Sequence, residues 1–154
     1  MADPGAGLRF RQYVPSDRHG CLALFDANCP SAFAPNERDE YEAFLDGEAE
    51  AYEVCVMEGE VVGAFGLGVD AMLRLRWIMV HPQRQGRGIG TSVMRRVREV
   101  AGASRRDGGD EVVVHIAASH RSAPFFARFG ARPVRETTDG WGPGMHRIDM
   151  ELVV

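Results

Sequence analysis

Alternation and helical spacing divide the chain into eleven short elements. Leu8 to Val14 alternates as a strand. Pro15-Ser16-Asp17 then offers a helix start with Ser16 or Asp17 as N-cap, and Leu22, Leu24, Phe25 and Ala27 give a short amphipathic helix that Cys29-Pro30 ends. A loop through Phe33, Pro35 and Asn36 leads to a second helix, Glu37 to Leu45, closed by Asp46-Gly47. Its acids Glu37, Asp39, Glu40 and Glu42 are expected mostly in water. Tyr52 to Met57 and Glu60 to Val69 read as strands joined by a tight Glu58-Gly59 turn. After a turn at Asp70, Met72 to Val80 is an apolar run broken only by Arg74 and Arg76. Ile89, Val93, Val97, Val100 and Ala101 recur at helical spacing, predicting a helix to about Arg105. Val112 to Ala117 is an apolar strand interrupted by His115. It follows a long helical crossover, so it should run parallel to the Met72–Val80 strand. Ser119 to Ser122 opens a helix from Pro124 to Phe129, capped by Gly130, and Pro133–Thr138 with Met145–Val154 form a last hairpin. No repeat or boundary divides residues 1–154, so one domain is expected.

Composition narrows the class. Apolar content of 45% and charged content of 26% are ordinary for a globular protein. No run approaches the roughly 20 apolar residues of a membrane span, and the first residues lack signal-peptide character, so a cytoplasmic location is expected. Cys21, Cys29 and Cys55 lack metal-ligand spacing and read as reduced thiols; no metal is expected. A net charge of −4 argues against nucleic acid. Residues 1–60 carry 13 acids against 4 arginines, and residues 61–154 carry 9 acids against 14 arginines. That asymmetry fits a cation on one side and a polyanion on the other, and equally fits solvated helix faces.

The stretch from Ile78 to Thr91 organises the rest. A strand ends near Pro82, a turn with Gly86, Gly88 and Gly90 follows, and an amphipathic helix begins. Exposed amides and a helix N-terminus bind phosphate groups, and glycine lets a bulky anion approach the main chain. A P-loop would need a lysine, and the sequence has none. Gln85, Gly88 and Gly90 match the pattern Q/R-x-x-G-x-G/A, so the stretch resembles motif A of the GCN5-related N-acetyltransferase (GNAT) family. The element order βααβββαβαββ matches that family along nearly the whole chain.

The resemblance implies an α/β (α+β) fold, a mixed, mostly antiparallel twisted sheet of about seven strands with helices on both faces. It implies direct transfer of the acetyl group of acetyl-CoA, as cosubstrate, to an amine acceptor. Coenzyme A would be held by Ile78, Met79, Val80, Arg84, Gln85, Gly86, Arg87, Gly88, Ile89, Gly90, Thr91, Ser119 and Phe126. The pyrophosphate would lie on the loop amides, with Arg121 and Arg128 as candidates for the 3′-phosphate. The Val80 N–H would polarise the thioester carbonyl, and Ile78 would pair with the pantetheine arm in a slot between two splayed parallel strands. The family's fourth-helix pattern N-x-x-A-x-x-x-Y-x-x-x-G-F, aligned on Gly130, places Ser119 and Phe126 where the asparagine and tyrosine stand. Phe126 would then sit beside the CoA sulfur at a position open to the cleft, but it has no proton to give, so His120 and Ser122 are candidate acids. His115 and His81 border the expected cleft as candidate bases; a core position for His115 and a plain loop role for His81 are the alternatives. A water chain to a glutamate of the acidic first part would also serve. The first two helices, their loop and the last hairpin should build the acceptor site, with Phe33, Tyr41, Phe44 and Trp141 as aromatic candidates. Trp141 is either a mobile wall or a ring packed over the sheet end. Two other readings stay open: a CoA-binding sensor without catalysis, and a nucleotide-binding protein using the same loop. The acceptor and the oligomeric state, a homodimer included, stay open.

Overall fold

The computed structural model describes residues 7–69, 71–84, 88–104 and 111–154. In chain order its strands and helices are β1 (Leu8–Gln12), α1 (Arg18–Ala27), α2 (Arg38–Gly47), β2 (Tyr52–Met57), β3 (Glu60–Val69), β4 (Leu73–Val80), α3 (Ile89–Ala103), β5 (Val113–Ser119), α4 (Ala123–Ala127), β6 (Arg132–Gly142) and β7 (Met145–Val153). They form one seven-stranded sheet in the order β1-β2-β3-β4-β5-β7-β6. Every neighbouring pair is antiparallel except β4 and β5. The expected turn at Asp70 lies outside the described residues.

Apolar periodicity sorts the helices onto opposite faces of the sheet. Ile89, Val93, Met94, Val97 and Ala101 of α3 are buried in one core with Val114, Ile116, Met150 and Leu152. Cys21, Leu24 and Phe25 of α1 and Tyr41, Phe44 and Leu45 of α2 fill a second core over Tyr52, Val54 and Ala64. Each fully buried aliphatic side chain contributes about 1.5–3 kcal/mol. The three thiols are free, with Cys21 and Cys55 buried.

Helices α1 and α2 begin with the same device. Pro15-Ser16-Asp17 and Pro35-Asn36-Glu37 are 3-10 turns whose acid folds back onto the preceding main chain. Asp17 accepts the Val14 N–H at 2.9 Å, and Glu37 accepts the Ala34 N–H at 2.8 Å. Glu37 is therefore an exception to the expectation of solvated acids: it is buried, whereas Asp39 and Glu40 are exposed.

Two irregularities in β4 set the shape of the sheet centre. The first is a bulge. Ala64 pairs with Met79 and Gly66 with Arg76, so Phe65 alone faces both Trp77 and Ile78. Trp77 takes a left-handed φ of 48° there, rare for a bulky residue. The second is the short ladder to β5: only Leu73–Val114, Arg74–His115 and Leu75–Ile116 pair. Beyond Leu75 and Ile116 the two parallel strands part, while β5 stays paired with β7 as far as Ser119.

Candidate active site

The parting of β4 and β5 opens a gap whose edges are main chain. The His81 N–H donates to the Val62 carbonyl at 2.8 Å, on the β3 side. Main-chain groups alternate along a strand, so Met79 also faces β3, and Ile78 and Val80 turn theirs toward the gap. The same alternation holds on β5. His120 donates its N–H to the His146 carbonyl at 2.9 Å, so Ala117 and Ser119 face away from β7, into the gap. The Val80 side chain is buried in the α3 core and Met79 in the α1–α2 core. Met79, included with the cofactor-binding stretch, thus offers the gap neither its amide nor its side chain.

The start of α3 lies just beyond Val80 in the chain. Gly88 is its N-cap with φ 77°, a conformation glycine takes without strain. Among the described residues no side chain caps this end, and the first helical bond runs from the Ser92 N–H to the Gly88 carbonyl at 3.0 Å. The amides of Ile89, Gly90 and Thr91 are thus the uncapped donors of a 15-residue helix, which suits an anion. Gly90 has a second reason to be glycine: a Cβ there would lie 2.8 Å from the Phe125 ring of α4. Gln85, Gly86 and Arg87 lie outside the described residues. Arg84 is paired with Glu60 at 3.0 Å across a partly exposed surface.

The remaining predicted residues are spread more widely. Ser119 and Ser122 cap each other at the start of α4. The Ser119 N–H donates to Ser122 Oγ at 3.0 Å and the Ser122 N–H to Ser119 Oγ at 3.1 Å. Phe126 is 4% exposed and packs in the α3 core, so the expectation that position 126 opens to the cleft is corrected. His120 lines a groove of about 570 Å³ between α4 and the β6–β7 pair, on the far side of β5 from the gap. Its ring lies 4.8 Å from that of His146, and its Nδ1 accepts the His146 N–H at 3.1 Å. His115 is half-buried rather than a core residue, with Nδ1 3.9 Å from Glu151 Oε1. It pairs in register with Arg74, at the closed end of the gap. His81 Nδ1 accepts the Gln83 N–H at 3.2 Å within its own loop. Arg121 donates to the carbonyls of Pro30 and Ser31, at 3.3 and 3.4 Å, and Arg128 lies over the Phe125 ring at 5.7 Å. Among the described residues no three metal-ligating side chains converge, and no helix is long and apolar enough to cross a membrane.

Aromatic rings enclose the α1–α2 side. Tyr41 and Phe44, expected at an acceptor surface, are buried in the core instead. Phe33 is half-buried and stacks on Trp77 with centroids 6.0 Å apart. Trp141 packs over the sheet end. Its Nε1 donates to the Ala118 carbonyl at 2.9 Å, and Arg147 covers its ring at 5.1 Å. The Asn36 side chain donates to the Trp141 carbonyl at 3.3 Å, so the α1–α2 loop and the last hairpin touch.

Three residues here escape sequence patterning. Trp77 reads as an ordinary strand residue, and nothing local announces a left-handed tryptophan. Tyr52 opens β2 as an apolar residue, yet its hydroxyl donates to the Trp77 carbonyl at 2.6 Å. Glu37 is buried, and burial lifts its carboxyl to a pKa of about 7, although the Ala34 N–H opposes the shift.

The model of the acetyltransferase (GNAT) domain matches residues 49–130 of this chain. Among solved structures, the fold is similar to the GCN5-related N-acetyltransferase (aminotransferase, class-II) from Rhodopseudomonas palustris. Identity is 21% over 100% of this chain and 99% of that one, with a TM-score of 0.75. It is also similar to Ard1 from Thermoplasma volcanium, at 12% identity over 97% of this chain and 99% of that one, TM-score 0.78. An aminoglycoside 6′-N-acetyltransferase complexed with coenzyme A is a third, at 13% identity over 94% and 96%, TM-score 0.69. No curated protein matches the sequence significantly.

Proposed function

Because this chain belongs to the acetyltransferase (GNAT) family, we propose that it transfers the acetyl group of acetyl-CoA directly to an amine. The observation that carries this reading is the gap between β4 and β5. Its β4 edge presents the main chain of Ile78 and Val80, and the uncapped amides of α3 follow a few residues later. An extended arm with amide groups can pair with a strand edge, and a pyrophosphate suits a helix start. The aminoglycoside acetyltransferase of the same fold was solved with coenzyme A, which supports placing that molecule here.

The chain's own groups then divide the work. The amides of Ile89, Gly90 and Thr91 hold the pyrophosphate. Gln85, Gly86 and Arg87 of the preceding loop are proposed to extend that cradle. Ile78 pairs with the pantetheine arm. The Val80 N–H donates to the thioester oxygen and stabilises the charge that develops on it as the amine attacks. Ser119 and Ser122 satisfy each other, Phe126 offers no hydroxyl, and His120 faces another groove. None of the four is therefore placed as the acid here, and a thiolate of pKa about 8.5 can leave without one.

The absence of a hydroxyl at position 126 also favours a second reading, a CoA-binding sensor. One experiment separates the two. Acetyl-CoA, CoA, NAD and ATP are titrated calorimetrically, and thiol release from acetyl-CoA is followed with a panel of primary amines. Tight acetyl-CoA binding with amine-dependent thiol release is expected. Binding without release would leave the sensor, and preference for NAD or ATP would overturn both.

A further inference from the structure

Resting on the transferase reading above, we propose that Glu37 meets the ammonium group of the acceptor and takes its proton. The argument begins with the two matching helix starts. A 3-10 turn of Pro-x-acid opens both α1 and α2, and in both the acid accepts one main-chain N–H. In the first, Arg11 completes the arrangement with two 2.7 Å bonds to Asp17, which neutralise the buried carboxylate. In the second, no cation does so among the described residues. Arg38, the next residue, turns instead to Asp26 and Glu42. Arg121, which reaches the same loop, is spent on the carbonyls of Pro30 and Ser31. Glu40 and the Cys29 thiol are the remaining titratable neighbours, and neither is a cation. Capping needs one oxygen, and Oε2 supplies it. The other oxygen, Oε1, receives no donor among the described residues. With the Glu37 residue 6% exposed and no counter-ion beside it among the described residues, its carboxylate is costly to keep charged. A cationic acceptor would supply the missing partner.

Location agrees with this role. Phe33, immediately before Ala34, stacks on Trp77, which in turn precedes Ile78 on the β4 edge. Asn36, adjacent to Glu37, bonds Trp141, whose indole bonds Ala118 of β5. The turn carrying Glu37 is thereby tied to both strands that border the gap, on the face opposite α3. The acceptor class that fits is a primary amine, cationic in solution, flanked by the Phe33–Trp77 and Trp141 rings.

The proton count closes. The ammonium gives one proton to the Glu37 carboxylate and becomes a free amine. Its nitrogen forms the new bond to the acetyl carbon as the carbon–sulfur bond breaks. The second proton leaves the nitrogen and ends on the thiolate, giving the amide and free CoA thiol, and Glu37 returns its proton to water. A carboxyl titrating near pH 7 suits this exchange at neutral pH.

The test uses the full chain with acetyl-CoA and four probes: 2-phenylethylamine, spermidine, kanamycin and an alanyl peptide. Thiol release is measured from pH 6 to 9 for wild type, Glu37→Gln and Glu37→Asp, with acetyl-CoA affinity measured in parallel. In wild type, kcat/KM should rise through about pH 7, the value of the unliganded carboxyl. Glu37→Gln, which keeps an oxygen for the Ala34 N–H, should lower kcat about 10²–10⁴-fold, lose that pH limb and keep its acetyl-CoA affinity. Glu37→Asp should recover part of the rate with the limb displaced. Near-wild-type turnover of Glu37→Gln with the limb intact would overturn the assignment while leaving the transferase reading standing. Acetyl-CoA binding with no release to any probe would overturn both. Should Glu37→Gln not fold, the aspartate variant decides, since an unmoved limb there also refutes the role.

Discussion

The Tyr52 hydroxyl donates to the Trp77 carbonyl at 2.6 Å, at the one point where β4 carries two residues against one of β3. Tyr52 has a single proton and gives it to Trp77, so the Tyr41 hydroxyl, 2.9 Å away, donates to Tyr52 in turn. The bond holds a bulge, and the bulge sets which main-chain groups face the gap. One extra residue shifts the alternation of everything after it. Without it, Met79 rather than Ile78 and Val80 would face β5. The left-handed tryptophan is a strained conformation, worth about 1–3 kcal/mol, kept by that hydroxyl and by packing on Tyr41 at 4.9 Å.

Tyr52→Phe should therefore do two things. It strands the part-buried Trp77 carbonyl and the buried Tyr41 hydroxyl, which should lower stability by about 1–3 kcal/mol in urea denaturation. It should also weaken acetyl-CoA binding at the β4 edge, measured by calorimetry on the folded variant. Lost stability with unchanged affinity would show that the bulge holds its shape without this bond.

The two capping acids should titrate in opposite senses. The Arg11 guanidinium holds Asp17 below the usual carboxylate range, so its contribution is present above the unfolded pKa and is lost as pH falls through the lower folded value. Burial raises Glu37 from 4.5 to about 7, so the folded state holds a proton that the unfolded chain has released. Stability should then fall as pH rises from about 4.5 to 7. Glu37→Gln should remove that fall and gain about 1–3 kcal/mol at pH 8, while Asp17→Asn should lose stability at the same pH. Denaturation midpoints across pH 4–9 for the three proteins check both signs.

Gly88→Val should separate folding from binding at the start of α3. A β-branched residue at φ 77° costs about 1–3 kcal/mol. Its side chain also stands beside the uncapped amides, so acetyl-CoA affinity should drop at least tenfold, about 1.4 kcal/mol. Calorimetry on folded protein is the measurement. An unchanged affinity would remove the α3 start from the binding surface.

Phe126→Tyr carries a different forecast once burial is known. The ring is 4% exposed and belongs to the apolar cluster that also holds Val80, Ile116 and Ile148. A hydroxyl without a partner there should cost about 1–3 kcal/mol, and turnover should not rise. Thermal unfolding and thiol release on the variant test the two halves separately. Faster turnover would show that the new hydroxyl reaches the sulfur after all.

What the sequence determined by itself is local and periodic. The bounds Tyr52–Met57 and Glu60–Val69 agree with β2 and β3, because alternation and a Glu58-Gly59 turn, with φ 52° and 78°, are written in neighbouring residues. The parallel pairing of β4 and β5 followed from the helix between them, and the GNAT resemblance from a strand, glycine turn and helix in fixed order. Tertiary structure decided everything that depends on distant partners. The fourth helix is five residues long and turns Phe126 into the apolar core it shares with Ala131, Ile148 and α3. Ser119 and Ser122 find each other, and His120 finds His146 on β7. The Trp77 bulge is bonded by a hydroxyl 25 residues earlier, that of Tyr52. Glu37 and Asp17 stand in nearly the same local sequence, yet among the described residues Arg11 pairs with Asp17 and no arginine pairs with Glu37. Charge compensation, like strand parity, is a property of what the fold brings alongside, and local pattern contains no term for it.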